Sequence, residues 1–123
     1  MTRTYSKAIA RARIWGATTT AVGALTMMRA SAAARLAGGN GSTPDTTVVR
    51  ILGGRQLLQG TAVLIRPEPV LLIGALAVDT LHAASMVAVA LIWPGYQRAA
   101  LASAAVAATS AVAGALVLRG ALR

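Results

Sequence analysis

The stretch Val70–Trp93, VLLIGALAVDTLHAASMVAVALIW, decides the fold. It runs about 24 residues with one acid and one histidine and no other ionisable side chain. A helix of that length, rising roughly 1.5 Å per residue, spans the ~30 Å hydrocarbon core of a bilayer with some tilt. Arg66-Pro67-Glu68-Pro69 precedes it and Pro94-Gly95 follows it. Proline is harmless at a helix start, and Pro-Gly marks a turn. Trp93 and Tyr96 sit where interfacial aromatic residues belong.

Downstream, Ala99–Leu118 (AALASAAVAATSAVAGALVL) gives a second span of about 20 uncharged residues. Leucine is scarce there and small residues dominate. Ser103, Ala107, Ala111 and Gly114 recur at helical spacing, and such smooth stripes let helix backbones approach closely in lipid. Arg119 and Arg123 follow as an anchor. Upstream, Thr46–Ile65 (TTVVRILGGRQLLQGTAVLI) reads as a third span. Thr43-Pro44 before it resembles a helix cap followed by proline at the first helical position. Arg50 lies near one end and can snorkel to the headgroups; Arg55 lies deeper.

A fourth span is expected over about residues 8–36. Its apolar centre, Ile14–Met28, is only about 15 residues long and is flanked by Arg11, Arg13 and Arg29. A continuous helix from about Tyr5 to Ala37 is long enough, and Gly38-Gly39-Asn40-Gly41-Ser42 breaks it. Three other readings fit the same residues: a basic helix lying flat in the interface, a cleaved signal and an organelle transit peptide. The expectation is therefore one all-α domain over residues 1–123, an integral membrane four-helix bundle.

Composition agrees. Hydrophobic residues make up 56% of the 123-residue chain and charged residues 12%, half the roughly 25% usual in soluble domains. Three acids and one lysine cannot cover a soluble surface. The net charge of +9 does not indicate nucleic acid, because the arginines are scattered between apolar runs and aromatic residues are 3% with no Phe. Basic flanks on apolar segments instead suit anionic lipid headgroups and orient the helices. With four spans both termini share a side that holds Arg3, Lys7, Arg11, Arg13, Arg66, Arg119 and Arg123. The other side holds Arg29, Arg35 and Arg98, with Arg50 if it snorkels. Both termini are thus expected in the cytoplasm of a multi-pass plasma-membrane protein.

Three residues are costly in that setting. A charged side chain at mid-membrane costs about 2.5–3.5 kcal/mol on insertion scales, so such residues are paired or functional. Asp79 and His82 are three apart and share a helix face, which Met86 continues. Arg55 lies about 12 residues before the Arg-Pro-Glu-Pro turn and Asp79 about 12 after it. Antiparallel packing of the two helices puts them at one depth. The expected cluster is an Arg55–Asp79 ion pair with Gln59 and His82 beside it. It serves either as a buried pair that fixes helix register or as a proton relay.

Other chemistries fail. No cysteine is present, so thiolate sites and disulfides are absent. One histidine builds no metal or haem site from a single chain; only a homodimer would supply two. Asp79-x-x-His82-x-x-Ser85 has the composition of a triad, but groups stacked on one helix do not converge. Gly53-Gly54 has neither the preceding strand nor the Gly-Lys-Ser/Thr of a phosphate loop, and reads as close helix packing. No cofactor and no enzyme activity are expected.

Arg50-Ile-Leu-Gly-Gly-Arg55-Gln-Leu-Leu-Gln-Gly60, followed by Asp79 on the next helix, resembles a family of small four-helix bacterial membrane proteins common in actinobacteria. These carry an R-x-L-G-x-R-x-x-x-x-G helix and a later membrane Asp. The resemblance covers about residues 47–118; it implies four spans and no assigned activity. Small multidrug exporters are of similar size but place a glutamate in their first helix, where this chain has no acid. The functional expectation is a structural or accessory membrane protein acting through helix–helix contacts in a homo-oligomer or larger complex. The alternative is a proton-coupled small-solute transporter using Asp79 and His82.

Overall fold

The computed structural model describes residues 2–123, and every regular element in them is helical. The chain runs α1 (Thr2–Met28), α2 (Ala30–Gly38), α3 (Thr46–Ile65), α4 (Pro69–Ile92), a single 3-10 turn (Pro94–Tyr96) and α5 (Gln97–Ala121). The chain is therefore all-α, and its boundaries follow local chemistry. Pro69 opens α4 after an extended Glu68, and α4 stops at Trp93 before Pro94.

Two local expectations need correction. The cap of α3 is Asp45 and not Thr43: Asp45 is extended, and its Oδ1 accepts a hydrogen bond from the Thr47 amide at 2.7 Å. Thr43 precedes a proline, which disfavours the α region there and leaves the cap to the next polar residue. The first helix is also not continuous to residue 36. It breaks at Arg29 (φ −116°, ψ 38°), where α1 ends and α2 begins. An unbroken helix over both would be roughly 55 Å long. The break instead lets Ala30 and Ala34 bury beside Val49 on α3. Gly39 (φ 52°) ends α2 in the left-handed region, where the Arg98 side chain occupies the space a Cβ would need.

The four long helices run up and down, each antiparallel to its neighbours. Around the bundle the order is α3–α1–α5–α4. The closest pair is α1 with α3. Glycines seven residues apart on both helices make it possible: Gly16 and Gly23 on α1, Gly53 and Gly60 on α3. A Cβ at Gly16 would lie 2.8 Å from the Gly60 carbonyl oxygen, and one at Gly60 would lie 2.6 Å from that of Gly16. A Cβ at Gly53 would lie 2.9 Å from the Gly23 oxygen. Backbones touch backbones along two turns, the close approach that small residues permit.

The expected antiparallel packing of α3 on α4 is made by side chains and not by close backbone approach. They are consecutive and antiparallel but have little backbone contact, because the glycine face of α3 is spent on α1. A groove of about 750 Å³ runs between them, with Gly54, Leu58, Gln59, Leu71 and Gly74 in its walls. The main core shares Val63, Leu71 and Ala75 with this groove: Ala12, Trp15, Val63, Leu72 and Ala75 pack together, with Leu71, Ala113, Val117 and Leu118 against them.

Two runs, Pro69–Ile92 and Pro94–Ala121, are long and apolar enough to cross a membrane. Outward-facing Ile14, Leu25, Ile51, Leu58, Ile73, Leu81, Leu91 and Leu116 are each more than half exposed, so all four long helices present apolar surface. One end of the bundle gathers Arg3, Lys7, Arg11, Arg13, Arg66, Arg119 and Arg123; it is called the basic end below. The other, the loop end, carries α2, residues 39–45 and the Pro94–Tyr96 turn. There the Ser42 amide donates to the Gly95 carbonyl at 2.7 Å and ties the long loop to the α4–α5 turn.

Candidate functional site

The polar side chains meet at the middle of the bundle. Arg55 is nine residues into α3 from the loop end, and His82 is ten residues from the loop end of α4. Arg55 Nη1 lies 3.6 Å from Asp79 Oδ1. That is close enough for a strong charge–charge attraction and too long for a hydrogen bond. Asp79 is 2% exposed, whereas a quarter of the Arg55 side chain is exposed. Arg55 Nε and Nη1 and Asp79 Oδ2 have no hydrogen-bond partner among the described residues. The carboxylate thus sits behind the guanidinium and balances its charge, while leaving hydrogen-bonding capacity unused.

Gln59, one turn along α3, donates from Nε2 to the Ala75 carbonyl at 3.3 Å. Together with the ion pair it spans the open α3–α4 seam. His82 Nε2 and Ser103 Oγ on α5 are 2.8 Å apart; either can donate, depending on the imidazole tautomer. Four of the residues singled out by sequence (Arg55, Gln59, Asp79 and His82) therefore lie in one neighbourhood, and Ser103 joins them.

The packing residues divide. Ala107 and Gly114 are buried, and Ser103 and Ala111 are half-buried. A Cβ on Gly114 would sit 3.6 Å from the Trp15 ring, whose Nε1 donates to the Ser110 carbonyl at 3.2 Å. Gly53 is part of the α1–α3 contact. Gly54 lies at its edge: only the Met27 side chain of α1 comes near, at 3.6 Å, and Gly54 also lines the groove. Sequence reasoning missed Gly16, Gly23 and Gly60. The matching seven-residue spacing on two helices was the available signal.

Above the cluster lies a cavity of about 610 Å³, reaching from the loop end to mid-bundle. Arg55, Gln56, His82 and Ser103 form its floor; Val22, Leu52, Met86, Val89 and Val106 line its walls; Asp45 and Tyr96 stand at the loop end. Below the floor, the Trp15 core closes the bundle toward the basic end. Ser85 points away, donating to the Leu81 carbonyl of its own helix at 2.8 Å, so Asp79, His82 and Ser85 do not converge. Among the described residues no three His, Cys, Asp or Glu side chains come together to hold a metal. No protein-family model matches the chain, and no curated protein and no solved structure matches it either.

Proposed function

We propose that this chain is a small integral membrane protein that crosses the bilayer four times, with both termini in the cytoplasm. It acts as a structural or accessory subunit through helix–helix contacts in a homo-oligomer or a larger membrane complex. The observation that carries the reading is the open seam between α3 and α4. Its apolar walls include two glycines, and at Gly74 an added Cβ would meet nothing within 4 Å. Within a membrane such a smooth, unfilled groove accepts another helix at close range. The apolar outer faces of all four long helices support the four-span reading, since soluble monomers rarely leave such continuous apolar surface open. α1 and α3 are less apolar than α4 and α5, and both carry basic residues: Arg3, Lys7, Arg11 and Arg13 fall in the half of α1 toward the basic end, Arg50 lies near the loop end of α3, and Arg55 at its middle faces Asp79. The basic end meets anionic headgroups in the cytoplasmic leaflet.

The cavity favours a second reading, a proton-coupled transporter of a small solute using Asp79 and His82. A polar floor open to one side and closed to the other is what one state of such a protein requires.

The chain has no cysteine of its own, so single cysteines report sidedness without background. Asn40→Cys should react with an impermeant maleimide added outside intact cells, and Arg123→Cys only after permeabilisation. Reaction of both from the same side overturns the topology. Purification of the tagged protein in mild detergent should then bring down a stoichiometric membrane partner or a homo-oligomer, lost on Gly74→Trp. A monomer indifferent to Gly74→Trp overturns the accessory role and leaves the transporter.

A further inference from the structure

The cavity has a chemistry that the helix-contact role does not use. From the geometry we infer that it binds a neutral, largely apolar molecule carrying a hydrogen-bond-accepting oxygen, held with that oxygen on the floor. The inference rests on the four-span reading only for how the molecule arrives, dissolved in the bilayer.

Charge sets the class. At the floor Arg55 is already balanced by Asp79, 3.6 Å behind it. An anion would bring uncompensated negative charge into an apolar space, and would pass Asp45 at the loop end. A cation would meet Arg55 at the floor. A neutral ligand avoids both costs. The floor then sets the polar group. Arg55 can only donate, the Gln56 amide and the Ser103 hydroxyl can donate, and His82 donates or accepts with its tautomer. A carbonyl-type oxygen is their common complement. The walls supply the apolar remainder, through side chains of α1, α3, α4 and α5. A few converging polar groups under apolar walls is the usual make-up of a small-molecule site.

Benzophenone tests this directly, being a neutral diaryl ketone that inserts into nearby C–H bonds when irradiated. The full-length protein in native membrane vesicles is irradiated with it, and adducts are mapped by mass spectrometry. With the carbonyl on the floor, adducts should form on Met86, one turn from His82 and in the cavity wall. Outer-face adducts at Leu81, Leu91 and Leu116 measure background from probe dissolved in lipid. Ala107→Leu, which fills the cavity from α5, should lower the Met86 adduct about tenfold against that background. Leu52→Phe, which fills it from α3, should do the same. Ser103→Ala should lower it less. The carboxylated analogue 4-benzoylbenzoate should label Met86 more weakly than benzophenone.

Adducts confined to the outer face, or Met86 labelling untouched by both filling variants, overturn the site. Stronger cavity labelling by the carboxylate overturns the neutral class. Met86 labelling without any outer-face adducts upholds the site while removing the four-span reading, so the two failures are told apart.

Discussion

At the scale of single residues, the side chains that cost most in an apolar setting are those whose surroundings are most constrained. Asp79 is almost wholly buried, with Arg55 as its one charge partner among the described residues. Replacing either Arg55 or Asp79 by leucine leaves the other charge uncompensated, and should destabilise the bundle by about 3–5 kcal/mol, toward the lower end because Arg55 is partly exposed. The double replacement should lie much nearer the parent. Chemical denaturation in bicelles measures all three; a double variant less stable than both singles overturns the pairing. Arg55, Asp79 and His82 were legible in the sequence because charges are rare in long apolar runs. Ser103 as the partner of His82, and Trp15 resting on Gly114, were not. Serine, alanine and glycine look alike along a small-residue helix, and which of them meets a given side chain depends on the order of helices around the bundle.

At the scale of elements, periodicity and punctuation located the helices well: α3 spans Thr46–Ile65 as expected, and proline and Pro-Gly signals bracket α4. The pairing of helices was not legible from chain order. Consecutive elements usually neighbour one another, but α3 gives its glycine face to α1 and meets α4 through side chains alone, the polar Arg55 and Gln59 and the apolar Val63. The break at Arg29 was also hidden, since nothing in that residue type ends a helix; the burial of α2 against α3 and α5 does. The contact predicts a contrast between glycines. Gly60→Ala sets a methyl group 2.5 Å from the Thr20 amide nitrogen, where backbone must move. It should cost about 1–3 kcal/mol, as overpacking does. Gly74→Ala meets nothing and should be neutral or slightly stabilising, because alanine is the better helix former. Equal effects of the two, in the same denaturation assay, would remove the close α1–α3 contact.

At the scale of the whole molecule, the all-helical class followed from composition and from apolar runs long enough for membrane-length helices. The two halves of the bundle along its axis differ in a way no single helix shows. Toward the basic end Trp15, Val63 and Leu72 fill the centre. Toward the loop end, small side chains at Ala99, Ala100, Ala102 and Ala107 leave the centre hollow. The cavity lies where the small residues of α5 face Val22 of α1, Leu52 of α3 and Met86 and Val89 of α4, an arrangement that depends on the order of helices around the bundle.

Around the axis the molecule has a different division. α1 with α3, and α4 with α5, are the two best-packed pairs; between them run the α1–α5 contact, the shared core of Val63, Leu72 and Ala75, the polar seam, the contacts of α2 and the 39–45 loop at the loop end, and the three-residue link Arg66–Glu68. The protein is in effect two leaves bound along one spine, with the covalent stitch on the open edge. Cutting that stitch severs no helix pair. Co-expressed pieces 1–66 and 67–123 should therefore find each other and copurify through α1 and α5, while Trp15→Ala, which empties the spine, should keep them apart. A book bound this way opens on the side of Arg55 and Asp79, so any widening of the molecule begins where a buried carboxylate faces its cation.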